Sequence, residues 1–284
     1  MTLKQTQDIK HAIVIALRED HAHDDVTSEA CFSQEEVVKA EIILKQDAKI
    51  AGLSFIPWVF EAVDPETKIE ILFEEGSFAP VGSVIAKIKG KAKAILSAER
   101  VALNILQHTC GIATLTSEYV AEVKGTSCEI LDTRKTLPGL RAMQKYAVKI
   151  GGGKNHRFNL EEAFLIKNNH IKILKQEHEK PIFEAIAKAR TLKPDAKVEV
   201  EVENIDMLKE ALEANADIIM LDNMDTETMK ECVNINNGQA YLEASGGMTL
   251  ARLKETAAAG VNGISIGALT HSVKAIDISL RIRP

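Results

Sequence analysis

From Gly125 onward the chain repeats one unit, a short apolar β-rich run followed by an amphipathic segment, and that repeat limits the fold more than any other feature. The runs are CEILD (128–132), FLIK (164–167), VEVEV (198–202), DIIMLD (217–222), YLEAS (241–245) and GISI (263–266). Strand-sized runs that are mostly apolar are buried on both faces, which calls for a parallel sheet covered by helices. Asn204 and Thr249 stand as N-caps of two of the helical segments, and Gly260 as a stop. So short a repeat suits a closed or nearly closed α/β barrel.

The barrel reading gathers residues that are far apart in the chain. Each run ends in or is followed by a polar residue or a glycine: Arg134, Lys167, Glu201, Asp222, Glu243 with Ser245, and Gly267. The carboxyl ends of barrel strands form a single mouth, where active sites are built. Alternation in VEVEV points Glu199 and Glu201 to one face, and a buried carboxylate needs a cation or a metal. Asp222 ends the next run and is the natural partner of Glu201. The two together suit Mg²⁺ held with substrate phosphates, and equally a salt bridge to Lys167 or an arginine. Ser245, Gly246 and Gly247, then Gly263 to Gly267, close the last two runs, where barrel enzymes often bind phosphate through backbone N–H groups.

Charge sharpens this picture. The stretch from Asp132 to His170 holds eight Lys or Arg (Arg134, Lys135, Arg141, Lys145, Lys149, Lys154, Arg157, Lys167) against three acids, in a chain whose net charge is −6. Glycines interrupt the run at 139 and 151–153, which is poor material for a solvated helix. A cationic pocket in an acidic protein focuses its field on a small polyanion. Nucleic acid is excluded as a partner by the sequence pI near 5.8. The longest early apolar run, 12–17, is too short to span a bilayer, so no membrane partner and a cytoplasmic location are expected. Cys31, Cys110, Cys128 and Cys232 show neither CxxC nor zinc spacing and read as reduced thiols.

The first third has a different texture. Ile9, Ile13, Ala16 and Leu17 predict a helix over 7–18, and HAHDDVTSEA (21–30) reads as a polar turn. His21, His23, Asp24 and Asp25 in that turn lack further ligands and read as structure, not a metal site. Strands are predicted over 37–49, 68–73 and 83–89, with a short helix opening at Ser54 and Pro57. Ser97 reads as the cap of a long helix that sets Arg100 and Asn104 on one face. Together these predict a small α/β sandwich.

The stretches DTRKTLPGLR, KYAVKIGGGKNHR, LIKNNH, VEVEVEN, IIMLDNM, LEASGG and GISIGALTHS resemble the quinolinate phosphoribosyltransferase family, over about 25–277. The resemblance implies an α/β fold of two parts. An N-terminal sandwich would cover 1–112, with 272–284 returning to it, and an open seven-stranded α/β barrel would cover 113–271. It implies conversion of quinolinate and phosphoribosyl pyrophosphate to nicotinate mononucleotide, CO₂ and pyrophosphate in NAD biosynthesis, with Mg²⁺, in a homodimer with shared sites.

Carried over by position, Arg134, His156, Arg157 and Lys167 would cradle the quinolinate carboxylates, with Lys135 nearby and Arg100 presented from the partner subunit. Glu201 and Asp222 would meet the ribose hydroxyls and Mg²⁺, with Lys167 beside them in catalysis. Ser245, Gly246, Gly267 and His271 would take the 5′-phosphate. Lys45 stands where the family commonly has an arginine reaching into the neighbouring site, Asn168 replaces a frequent acid, and Asp24 a frequent glycine. Three other readings remain: a paralogous phosphoribosyltransferase of molybdenum-transport loci with another acceptor, a Schiff-base aldolase using Lys167, and a catalytically silent phosphate-binding regulator, against which the intact acidic and cationic sets argue.

Overall fold

The structure is a computed structural model and describes residues 1–33 and 36–283. Its strands are β1 (Val37–Leu44), β2 (Ala48–Lys49), β3 (Lys68–Ile71), β4 (Phe78–Ala79), β5 (Val84–Lys91), β6 (Glu129–Leu131), β7 (Phe164–Ile166), β8 (Val198–Val202), β9 (Ile218–Asp222), β10 (Tyr241–Ser245), β11 (Gly263–Ser265) and β12 (Ile278–Arg283). The chain divides into two compact units. One comprises Met1–Ser117, Lys135–Gly152 and the segment from Ala268 onward; the other comprises Glu118–Arg134 and Gly153–Gly267.

The first unit is built on an antiparallel sheet ordered β12-β1-β5-β3. The C-terminal strand pairs with β1 from Lys39↔Arg283 to Leu44↔Ile278, so the chain's last segment belongs to its first sheet. Ile42, Leu44, Phe55, Ile56, Val59, Phe60, Ile85 and Ile88 are buried in its core. Helix Leu3–Glu19 buries Ile9, Ile13 and Leu17, as their spacing predicts. It starts earlier than the apolar pattern because Thr2 and Gln5 form a capping box.

Two local expectations differ from the structure. The polar segment 21–30 is not only a turn: Asp25 caps a helix, Val26–Cys31, its carboxylate accepting from the backbone N–H groups of Thr27 and Ser28. Ser97 caps nothing. Its helix begins at Ala92 and runs to Glu122, because Ala92, Ala94 and Ile95 are already buried in the core and carry the helix past it. The Ser97 hydroxyl instead donates to Asp25 Oδ2 at 3.0 Å.

The second unit is a parallel sheet ordered β6-β11-β10-β9-β8-β7. Six positions are strands; the seventh is a single parallel bridge, Leu131↔Lys154. Lys154 N–H donates to Ile130 O at 2.8 Å, and Asp132 N–H to Lys154 O at 3.1 Å. The segment cannot extend as a strand: a glycine run precedes it, and at His156 the backbone N–H turns to the Asp132 carboxylate, 2.9 Å away. On β8, Val198, Val200 and Val202 are fully buried, and the strand packs against helices Pro181–Leu192 and Ile205–Glu213. The alternate residues Glu199 and Glu201 therefore face the barrel interior. Asn204 caps its helix as expected, accepting from Met207 N–H at 3.0 Å. No helix among the described residues is long and apolar enough to cross a membrane.

Candidate active site

At the carboxyl ends of β8 and β9, Glu201 and Asp222 lie side by side and half-buried. Burial and then the charge of Asp222 push the Glu201 carboxyl above the usual range, while Lys167 pulls it back. Asn168, at the start of helix Asn168–Leu174, donates from Nδ2 to Glu201 (3.1 Å) and to Glu203 (2.7 Å). The position that departs from the family pattern therefore ties β7 to the acid on β8. Two neighbouring carboxylates left partly open to solvent repel each other until a cation or a cationic substrate carbon sits between them.

The arginines come from the segments after β6 and after the Lys154 bridge. Arg134 and Arg157 are close enough that the charge of Arg134, after burial, lowers the Arg157 guanidinium from its ordinary value. Arg157 Nη1 donates to Ala163 O at 2.9 Å, whereas its buried Nε has no partner among the described residues. Two guanidiniums within reach of each other's charge suit an anion with two charged groups. His156 is turned inward: its Nε2 meets Glu199 at 2.8 Å and stands 3.8 Å from Glu243. Lys167 is exposed, and its backbone N–H donates to His170 Nδ1 at 2.9 Å.

After β10 the chain turns sharply at Gly246 and Gly247, with φ of 90° and 56°. A Cβ on Gly246 would lie 2.1 Å from Asn223 Oδ1 and 2.9 Å from Asn223 N, so only glycine fits. Asn223 itself takes φ 55° and donates its backbone N–H to Ser245 O at 3.0 Å, and from Nδ2 to Asp222 Oδ2 at 3.0 Å. The Ser245 turn and the Asp222 carboxylate are thus fixed to each other. Gly267 follows β11, whose own end is tied to β6 by Ile266 N–H donating to Leu131 O at 2.9 Å.

Four of the anticipated residues belong to the first unit. Lys135 is exposed and its carbonyl accepts from Thr270 Oγ1 at 2.8 Å; buried Gln144 in turn donates to Thr270 O at 2.8 Å. That network fixes the start of helix Ala268–His271, in which His271 Nδ1 lies 2.6 Å from Ser272 Oγ. Arg100 is exposed and shares a hollow of about 360 Å³ with Asn104 and His108, on the helix face that the spacing predicts. Lys45 is half-buried, its backbone N–H bonded to Asp277 O at 2.8 Å.

The sequence reading passed over what surrounds His156. Glu199 is 3% exposed and Glu243 2%, and Ser265 on β11 donates to Glu243. The alternation of β8 and β10 carries the signal: Glu199 and Glu243 stand at interior positions, with no counter-charge on their own strands.

Parallel strands with acids and glycine turns at their carboxyl ends are the layout of an α/β-barrel enzyme, a class in which the strand ends build the site. The family models described as quinolinate phosphoribosyl transferase match the chain over 25–110 (N-terminal domain) and 112–281 (C-terminal domain). The chain is 42% identical to the probable nicotinate-nucleotide pyrophosphorylase (carboxylating) of Bacillus subtilis strain 168, covering 93% of this chain and 90% of that one. It is 41% identical to the chloroplastic nicotinate-nucleotide pyrophosphorylase (carboxylating) of Arabidopsis thaliana, covering 98% and 83%. The solved nicotinate-nucleotide pyrophosphorylase of Francisella tularensis superposes with a TM-score of 0.90 at 37% identity, covering 98% and 96%. The chain belongs to the quinolinate phosphoribosyltransferase family, a group of pentosyltransferases of NAD biosynthesis. Membership sets aside the Schiff-base reading of Lys167.

Proposed function

We propose that this chain joins quinolinate to the ribosyl carbon of phosphoribosyl pyrophosphate, releasing pyrophosphate and CO₂ and leaving nicotinate mononucleotide. The Arg134–Arg157 pair supports this reading most directly. A substrate with two carboxylates matches two such forks, each contact contributing about 1.5–3 kcal/mol. Lys167, Lys135 and His156 add positive charge around the same anion.

Glu201 and Asp222 would take the ribose hydroxyls and stabilise the ribosyl carbon as it becomes cationic. The bond to pyrophosphate breaks as the pyridine nitrogen attacks, and the adjacent carboxylate then leaves as CO₂. Its electron pair stays on the ring carbon until that carbon is protonated, offset by the quaternary nitrogen. Oxygen ligands at a half-open, mutually repelling pair fit Mg²⁺, which would neutralise the leaving pyrophosphate. Ser245, the Gly246 turn, Gly267 and His271 would receive the 5′-phosphate.

A homodimer completes the site: Arg100 and Lys45 act in the partner's pocket, a role supported by the exposure of Arg100 on a concave helix face. The enzyme works in the cytoplasm, in keeping with four free cysteines, of which Cys110, Cys128 and Cys232 are buried. The test is a coupled assay with phosphoribosyl pyrophosphate and Mg²⁺, following CO₂ and mononucleotide together, with quinolinate and nicotinate run side by side. Equal yields of both products from quinolinate alone are expected. No turnover of quinolinate would overturn the reading and bring forward the paralogue with another acceptor.

A further inference from the structure

Inside the barrel, the ring of His156 is met by two titratable side chains that the transfer reaction does not account for. Glu199 rises from β8 and Glu243 from β10, and both meet the ring of His156, which follows the Lys154 bridge. Side-chain exposures of 9%, 4% and 2% for His156, Glu199 and Glu243 exclude solvent from the contact. The remaining faces of the cluster are polar too. Ser265 of β11 donates to Glu243, and Asp132, at the end of β6, accepts from the His156 backbone N–H at 2.9 Å. Arg157 feels the charge of Glu199, and Glu199 Oε1 has no hydrogen-bond partner among the described residues.

Burying two carboxylates is costly, and the partner the chain brings to both is the His156 ring. Of the two acids, Glu199 makes the short bond. Glu243 is pushed up to about 7 by burial and by Glu199. A carboxylate behind an imidazole also fixes which way the ring faces, as ligand histidines are fixed by a second carboxylate.

Resting on the reading of the site as a quinolinate pocket, we propose that Glu199 is a positioning residue: it acts through His156, fixing the orientation of the ring on the floor of the dicarboxylate cradle, with Glu243 as a weaker second support. The selectivity of the pocket for two carboxylates is then built partly from inside the barrel, by acids that never touch the substrate.

The experiment measures steady-state kinetics of full-length wild type, Glu199→Gln, His156→Ala and the double variant, varying quinolinate and phosphoribosyl pyrophosphate separately. Glu199→Gln should raise the quinolinate KM roughly tenfold and leave the phosphoribosyl pyrophosphate KM within twofold. In the His156→Ala background the same change should add less than twofold, because the group it acts through is gone. Glu199→Asp, which keeps the charge but shortens the reach, should fall between wild type and Glu199→Gln. It takes over the test if Glu199→Gln does not fold. Equal rises in both KM values, full additivity in the double variant, or an unchanged quinolinate KM would overturn the proposal. So would a stoichiometric metal ion in the purified wild type that is lost in Glu199→Gln. Failure of wild type to turn over quinolinate would instead strike the reading of the pocket itself.

Discussion

Glu199 and Glu201 stand on the same face of β8, two residues apart, in surroundings that differ in kind. Glu199 is closed in with Glu243 around the His156 ring, a partner delivered by the fold. Glu201 is left half-open beside Asp222, with Asn168 bonded to it and Lys167 nearby but no ion pair filling the gap among the described residues. Depth in the barrel separates the two. An acid pair that water cannot reach has to be neutralised within the chain. A pair at the strand ends can stay repulsive and wait for a cation that arrives with the substrate.

The sharpest way to break this contrast is to neutralise the open pair. Glu201→Gln or Asp222→Asn should lower kcat/KM by roughly a hundredfold or more, since the developing ribosyl cation loses its counter-charge. Thermal unfolding should show an unchanged or higher Tm, because a repulsion has been removed; a marked fall in Tm would mean that the open pair is structural after all.

Next in size is the cradle. Arg157→Lys keeps a charge but loses the fork, and the quinolinate KM should rise about tenfold in initial-rate assays.

A smaller effect concerns stability. The Glu243 carboxyl, at about 7 in the fold against 4.5 for the ordinary side chain, holds its proton more tightly when folded. The folded state therefore carries more protons between those values, and stability falls as pH rises from 4.5 through about 7. Glu243→Gln should flatten that slope, as read from urea unfolding at several pH values. The smallest effect is expected of Asn168→Asp, which adds an acid beside Glu201 and Glu203. It should lower the Mg²⁺ concentration for half-maximal rate by about threefold, within the range of a single partly solvated charge.

The barrel was readable because each strand is a compact apolar run and each run ends in chemistry; Glu201, Asp222 and the Gly246 turn follow from that pattern alone. The pairing of Glu199 with His156 was not, because it joins β8 to a loop after a glycine run, and no local periodicity records such a contact. Local rules also competed. Ser97 has the chemistry of a cap, yet the buried residues from Ala92 to Ile95 had already committed the helix. Asp25 was placed in a turn, and its capping role became visible only with the backbone N–H groups of Thr27 and Ser28 in place. The two-residue strands β2 and β4 are too short to show any alternation.

The single-residue bridge at Lys154 gives the sheet a seam. Two backbone hydrogen bonds, the Asp132 carboxylate and the Lys154–Glu129 ion pair help hold the segment that delivers His156 and Arg157. In hydrogen-exchange terms, the Lys154 and His156 amides should be the first of the barrel to take up deuterium, through local opening and not global unfolding. A bound dicarboxylate, gripping the two side chains that follow the bridge, would close the seam from the other side, so occupancy of the cradle should register as slowed exchange at a backbone position the substrate does not reach.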